Sequence, residues 1–182
     1  MRAMRWGSWA LALLLAGAVS AGELAGVRLP DRTAAEGKDL VLNGMGLRKA
    51  YAVAKVYVAG LYLERKSASA DEILGSSSVR KIVLHFVRDV SREQITGAWS
   101  EGFEKNAGPA LPGLRERIAA LNAVMPDLAV GDALAFTAAP GKGVVVEVRG
   151  KEAATIDGDD FARALLSIWL GAAPPGSQPL WS

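Results

Sequence analysis

The sequence has 182 residues, of which 51% are hydrophobic, and this length and apolar content suit one domain with a sizeable core. It contains no cysteine and one histidine, so thiol chemistry is excluded and a transition-metal site has almost no ligands to draw on. The formal net charge is only +2, and no basic stripe with interleaved aromatic residues occurs, so nucleic acid is not an expected partner.

The first residues have the pattern of a secretory signal peptide. Two arginines precede an unbroken apolar run at 9–18, and small residues then lead to Ala21, where we expect cleavage. A membrane anchor is the alternative, but the run is shorter than the ~20 residues that a spanning helix needs. We therefore expect an exported, periplasmic protein with a signal peptide at 1–21, one domain at 22–182 and no transmembrane span. Removing the signal takes away two of the 21 basic residues, which leaves 19 basic and 19 acidic residues.

The stretch 42–64 is predicted to organise the fold. Its asparagine and glycines predict a turn at 43–46, which Arg48 follows. The run 51–63 is rich in β-branched and aromatic residues, and Lys55 is its only charge. Because neither face of the run is cleanly polar, we expect a strand that is covered on both sides.

The other elements follow from periodicity, caps and breakers. The best helix begins at Ser91, which forms a capping box with Gln94 and is followed by apolar residues at every fourth position. The predicted strands are 24–29, 79–87, 133–138, 144–149 and 153–156, and the predicted helices are 67–75, 91–106, 111–125 and 160–170. This order indicates an α+β domain with a largely antiparallel sheet and helices on one face.

Two short motifs invite a functional interpretation that their context does not favour. Gly141 and Lys142 lack the spacing of a phosphate-binding loop and are not followed by a helix. The acidic cluster at 157–160 lacks the distal glutamate of a calcium-binding loop, so we expect it to cap the last helix.

Four segments, at 42–48, 55–64, 90–103 and 161–171, resemble the chalcone isomerase-like family in order and spacing. This resemblance implies an open-faced β-sandwich, in which a large antiparallel sheet carries a helical layer with a cleft between them. It also implies one of two activities. Plant members cyclise chalcones to flavanones without a cofactor, and related members bind fatty acids.

The resemblance assigns individual positions. Arg48 matches the arginine that lies in the family cleft and faces the substrate or the fatty-acid carboxylate. Tyr57 falls where the isomerases have a threonine that polarises the substrate ketone, Ile95 aligns with their catalytic tyrosine, and Gly102 aligns with a substrate-binding asparagine. Only Arg48 of that polar set is retained, which favours an apolar ligand with one anionic head over cyclisation.

The predicted site combines an anion anchor with an apolar wall. Arg48 would form a bidentate pair with a carboxylate, and a tyrosine hydroxyl would add a bond; Tyr57 is the first choice and Tyr62 the second, because odd and even strand positions face opposite ways. The residues predicted to bind the ligand are Arg48, Tyr57, Tyr62, Ile95, Trp99 and Phe103. We expect no cofactor and no metal.

Two other functions remain open. The first is a cofactor-free isomerase of the chalcone type, with Arg48 as a catalytic residue. The second is a structural or interaction module of the cell envelope without a ligand, in which Trp99, Phe103 and Trp169 fill the space around Arg48. The protein partners are not predicted. The volume of a cleft beside Arg48 distinguishes the last function from the other two.

Overall fold

The protein is described by a computed structural model that covers residues 21–50 and 53–175. Within these residues the chain forms nine β-strands and four α-helices. The strands are β1 (Ala21–Leu24), β2 (Val27–Pro30), β3 (Arg32–Ala35), β4 (Lys38–Ala50), β5 (Ala54–Leu63), β6 (Arg80–Phe86), β7 (Ala133–Ala139), β8 (Gly143–Val148) and β9 (Lys151–Ile156). The helices are α1 (Ala70–Gly75), α2 (Arg92–Asn106), α3 (Leu111–Ala123) and α4 (Asp159–Leu170), and a 3₁₀ turn at Gly108–Ala110 precedes α3.

Strands β3 to β9 form one antiparallel sheet in which every strand pairs with its neighbour in the sequence. Strands β1 and β2 form a separate hairpin. The predicted fold class, an α+β open-faced sandwich with a large antiparallel sheet and a helical layer, is confirmed.

Strand β5 is covered on both faces, as its sequence predicts. Odd-numbered residues such as Tyr57 and Leu61 join the main core beneath the helices, whereas Val58 and Tyr62 join a second cluster with the β1–β2 hairpin. All residues from Tyr57 to Leu63 are buried. A polar substitution on either face of β5 would therefore enter a core.

The predicted turn at 43–46 is wrong, because these residues lie inside β4. Gly44 and Gly46 pair with Leu61 and Ala59, and a bulge places the extra residue at Asn43, whose side chain bonds the backbone of Ser67. Glycine and asparagine mark a bulged strand here, which sequence composition does not distinguish from a turn.

The predicted strand 24–29 is also wrong. Ala25 and Gly26 adopt positive φ angles of 53° and 83°, which turns the chain back on itself and divides the stretch into β1 and β2. The strand β3 was not predicted, and it pairs with the beginning of β4.

The helices lie on the face of the sheet that carries the main core. The predicted capping box of α2 is present, with Ser91 Oγ accepting from the N–H of Gln94 and the Gln94 side chain accepting from the N–H of Ser91. Helix α4 is buried along most of its length. Its predicted acidic cap is wrong: Gly158 occupies the N-cap position, and Asp160 instead pairs with Arg117. In the described ranges no helix is long and apolar enough to cross a membrane.

Candidate functional site

A cleft of about 920 Å³ opens between α2, from Gln94 to Lys105, and the end of the sheet where β4 meets β5. Its third side is the segment that follows α4. The sheet contributes Arg48, Lys49, Ala50, Val56 and Tyr57, the helices contribute Gln94, Ile95, Ala98, Trp99, Glu101, Gly102, Lys105 and Ile168, and the connecting segments contribute Arg88, Val90 and 173–175. The volume lies within the ~300–1,000 Å³ that is typical of small-molecule sites.

Arg48 and Tyr57 are direct cross-strand partners on β4 and β5. Directly opposed residues of an antiparallel pair project from the same face of the sheet, so the guanidinium and the phenol enter the cleft together. The Tyr57 hydroxyl accepts a hydrogen bond from Trp169 Nε1 at 3.1 Å. Burial raises the pKa of Tyr57 to about 12, although the bond from Trp169 and the charge of Arg48 both act to lower it. The phenol therefore keeps its proton at neutral pH and remains a hydrogen-bond donor.

The Arg48 guanidinium bonds only carbonyl oxygens within the described chain. Its Nη1 donates to the carbonyl of Lys49 at 2.8 Å and to the carbonyl of Pro175. None of the ion pairs between described residues includes Arg48. Its charge is thus solvated by dipoles, and no described carboxylate forms an ion pair with it.

The segment that supplies the Pro175 carbonyl is fixed to α2 by Asn106. The Asn106 side chain donates to the carbonyl of Ala173 at 3.2 Å and accepts from its N–H at 3.1 Å. Gly171 allows this approach, because a Cβ there would lie 2.5 Å from Asn106 Oδ1. The last described residues therefore form a positioned wall of the cleft.

The apolar wall is built by helices α2 and α4. Ile95 and Trp99 project from α2, and Ile168 reaches the cleft from α4. The Trp99 ring packs edge-on against Phe136 and Trp169, with centroid distances of 5.7 and 5.5 Å. These contacts hold the indole rigidly beside the Arg48–Tyr57 pair.

Four of the six predicted binding residues line one cleft: Arg48, Tyr57, Ile95 and Trp99. Tyr62 does not, because it lies on the opposite face of β5, where its hydroxyl donates to the carbonyl of Pro30 at 2.9 Å. Phe103 does not either. It is fully buried in the core beneath α2 and stacks on Phe161 at a centroid distance of 5.8 Å.

The charged rim of the cleft was not predicted. Lys49, Arg88 and Lys105 join Arg48, and the single acid among the lining residues, Glu101, pairs with Lys105. That pairing lowers the pKa of Glu101, and the charge of Arg48 contributes. Lys105 lies six residues after Trp99, off the stripe of Ile95 and Trp99, so the helical spacing was no signal for it. Among the described residues, no cluster of histidine, aspartate or glutamate could hold a metal ion.

A large antiparallel sheet, a helical layer and a cleft at their boundary define an open-faced β-sandwich. The family model described as chalcone isomerase-like matches residues 21–178. The chain belongs to the chalcone isomerase-like family.

Solved structures agree with this assignment at the level of the fold. The crystal structure of a fatty-acid binding protein from Arabidopsis thaliana superposes with a TM-score of 0.70 and 16% sequence identity, covering 86% of this chain and 92% of that one. No curated protein matches the sequence significantly.

Proposed function

We propose that this protein binds a small apolar carboxylate, of which a fatty acid is the simplest example, with its head at Arg48 and its chain along α2. The observation that carries the proposal is the open cleft of about 920 Å³ beside an arginine that forms no ion pair with a described carboxylate. A ligand-free envelope module was expected to fill this space, so the open cleft favours a binding protein.

The polar end of the cleft suits a carboxylate. Arg48 supplies a charge-assisted pair, and the protonated Tyr57 hydroxyl supplies a second donor on the same face. A carboxylate would compete with the Pro175 carbonyl for Arg48 Nη1, and it offers the guanidinium an anionic acceptor in place of a neutral one.

The apolar end suits a hydrocarbon chain. Each methylene that leaves water for the apolar part of the cleft contributes about 0.8 kcal/mol, which is about fourfold in affinity. The affinity should therefore rise about fourfold per methylene until the cleft is filled. Acids that exceed its length should show no further gain.

The proposal includes export. Residues 1–21 have the features of a removable signal, and the family match begins at residue 21. N-terminal sequencing of the protein recovered from the periplasm tests this part, and a chain that retains its first 21 residues would contradict it.

The deciding experiment is native mass spectrometry of the protein purified from the cell envelope, beside Arg48→Ala and Arg48→Lys. We expect a bound fatty acid in the wild type, none in Arg48→Ala, and reduced occupancy in Arg48→Lys, which keeps the charge but loses the bidentate geometry. Arg65→Ala, an exposed arginine at the opposite end of β5, is the matched control and should retain the ligand. A wild-type protein that is empty and takes up no added fatty acid would refute the proposal.

Cyclisation of a chalcone is the second candidate, favoured by the Tyr57 hydroxyl and Gln94 in the same cleft as Arg48. A donor close to a cation is what stabilisation of a developing enolate requires. Loss of chalcone absorbance on addition of the protein, abolished by Arg48→Ala, would support it, and an unchanged spectrum would exclude it.

A further inference from the structure

Two large hydrophobic side chains are exposed in the described chain, and both lie at the same end of the sheet. Val53 is 81% exposed and Val130 is 65% exposed. Val53 directly precedes β5, and Val130 lies in the turn before β7. Strand β6, between them in the sheet, ends at Phe86, which pairs with Tyr57 near the start of β5. The N–H of Val130 donates to Asp89 at 2.9 Å, which fixes its turn to the segment that follows β6.

Three exposed cations surround these valines. Lys49 and Lys55 are direct cross-strand partners on β4 and β5, and Arg88 follows β6. Like charges in this position destabilise a sheet, and none of the ion pairs between described residues includes any of the three. The residues Lys49, Val53, Lys55, Arg88 and Val130 are called the basic tip below.

The nearby acids Asp89 and Asp132 form no ion pair with the three cations of the basic tip. Asp89 accepts the backbone N–H of Val130, and Asp132 accepts from Ala129 N–H and pairs with Arg149. An external anion would therefore relieve the repulsion between Lys49 and Lys55. Since exposed valines lie among the cations, a partner that is both anionic and apolar fits the surface better than a purely polar one.

The basic tip is continuous with the mouth of the cleft. Lys49 and Arg88 belong to both, and Arg48 lies next to Lys49 in β4. We propose that the basic tip docks the protein on an anionic lipid bilayer, so that the cleft opens toward the membrane surface. A ligand that leaves the bilayer would then meet Arg48 without crossing bulk water. The docking surface itself does not depend on which ligand the cleft holds.

The proposal is tested by co-sedimentation with vesicles of phosphatidylglycerol and phosphatidylcholine, compared with vesicles of phosphatidylcholine alone. The protein is used from residue 21 onward, because the apolar run at 9–18 would itself bind lipid, and this part contains every described strand and helix. We expect binding to the anionic vesicles that weakens with salt. A cation at an anionic surface contributes about fivefold in affinity.

The decisive variant is Lys49→Glu with Lys55→Glu, and the matched control is Arg65→Glu with Lys66→Glu, two exposed residues at the opposite end of β5. Both change the net charge equally. Losing two favourable cations should weaken vesicle binding by about 30-fold or more in the first variant, and the control should bind nearly as the wild type. Equal losses in both, or no wild-type binding, would overturn the proposal.

A second variant separates a bilayer from an acidic protein. Val53→Ser with Val130→Ser keeps every charge and should weaken vesicle binding by about tenfold or more, because the full loss of the apolar contact of one valine already costs about tenfold. Unchanged vesicle binding in this variant, or wild-type binding to polyglutamate as strong as to the anionic vesicles, would also overturn the proposal.

Discussion

Gly102 sets the distance between α2 and α4, because it packs against Ile168. Whether Gly102→Ala stabilises or destabilises the protein depends on this contact. An added Cβ would lie 2.8, 3.1 and 3.3 Å from Cγ2, Cγ1 and Cδ1 of Ile168. Ile168 is 1% exposed and β-branched within a helix, so its Cγ atoms cannot swing away without leaving their preferred rotamer. The helices must therefore separate, or the side chain must be strained.

The magnitude follows from two opposing effects. Replacing glycine by alanine inside a helix stabilises it by about 0.8–1.0 kcal/mol. Overpacking of a buried contact costs about 1–3 kcal/mol. Gly97 lies in the same helix with no atom within 4 Å of an added Cβ, so Gly97→Ala has the first effect without the second. We expect Gly97→Ala to stabilise the protein and Gly102→Ala to be less stable than Gly97→Ala by about 1–3 kcal/mol.

Urea unfolding followed by tryptophan fluorescence measures this difference by linear extrapolation. A third variant, Gly102→Ala with Ile168→Ala, removes the contacting atoms. Its loss of stability should be smaller than the sum of the losses in the two single variants, by about 1–3 kcal/mol. If Gly102→Ala stabilised the protein as much as Gly97→Ala, the close helix contact would be refuted.

Two further predictions concern the buried Tyr57–Trp169 pair. Tyr57→Phe leaves the Trp169 indole N–H without its acceptor, so the free energy of unfolding should fall by about 1–3 kcal/mol. Trp169→Phe should then lower the free energy of unfolding less in the Tyr57→Phe protein than in the wild type. Equal decreases in both proteins would contradict the hydrogen bond. Because burial raises the pKa of Tyr57 to about 12 from about 10 in the unfolded chain, its contribution to stability is complete below pH 10 and is lost as the pH rises toward 12. Urea midpoints between pH 9 and 11 should therefore fall more steeply in the wild type than in Tyr57→Phe, and parallel curves would exclude this assignment.

The sequence predicted those elements in which local preference and burial agree. In β6 the buried and partly buried residues alternate along the whole strand, as its hydrophobic pattern indicates. Helix α2 has both a capping box and an apolar stripe, and it begins within one residue of its prediction. For the glycines of β4, local preference predicts a turn, whereas their actual position depends on a bulge and on the strands they pair with.

The candidate site was predictable only in part. Arg48 was identified through the family resemblance, and Ile95 and Trp99 through helical spacing. The choice between Tyr57 and Tyr62 needed the register of β4 against β5, which places Tyr57 opposite Arg48. The contact of Arg48 with Pro175 joins residues that are 127 positions apart, and no local pattern reports such a contact.

The contact between Arg48 and Pro175 also determines at which stage of folding the cleft is completed. Each strand of the large sheet pairs with its neighbour in the sequence, so the sheet can assemble through local contacts, strand by strand. The wall at 173–175 follows all seven strands of that sheet in the sequence. The sheet does not require this wall, so it can form before the cleft is complete. A ligand that needs the complete cleft would therefore not serve as a template for the early steps of folding.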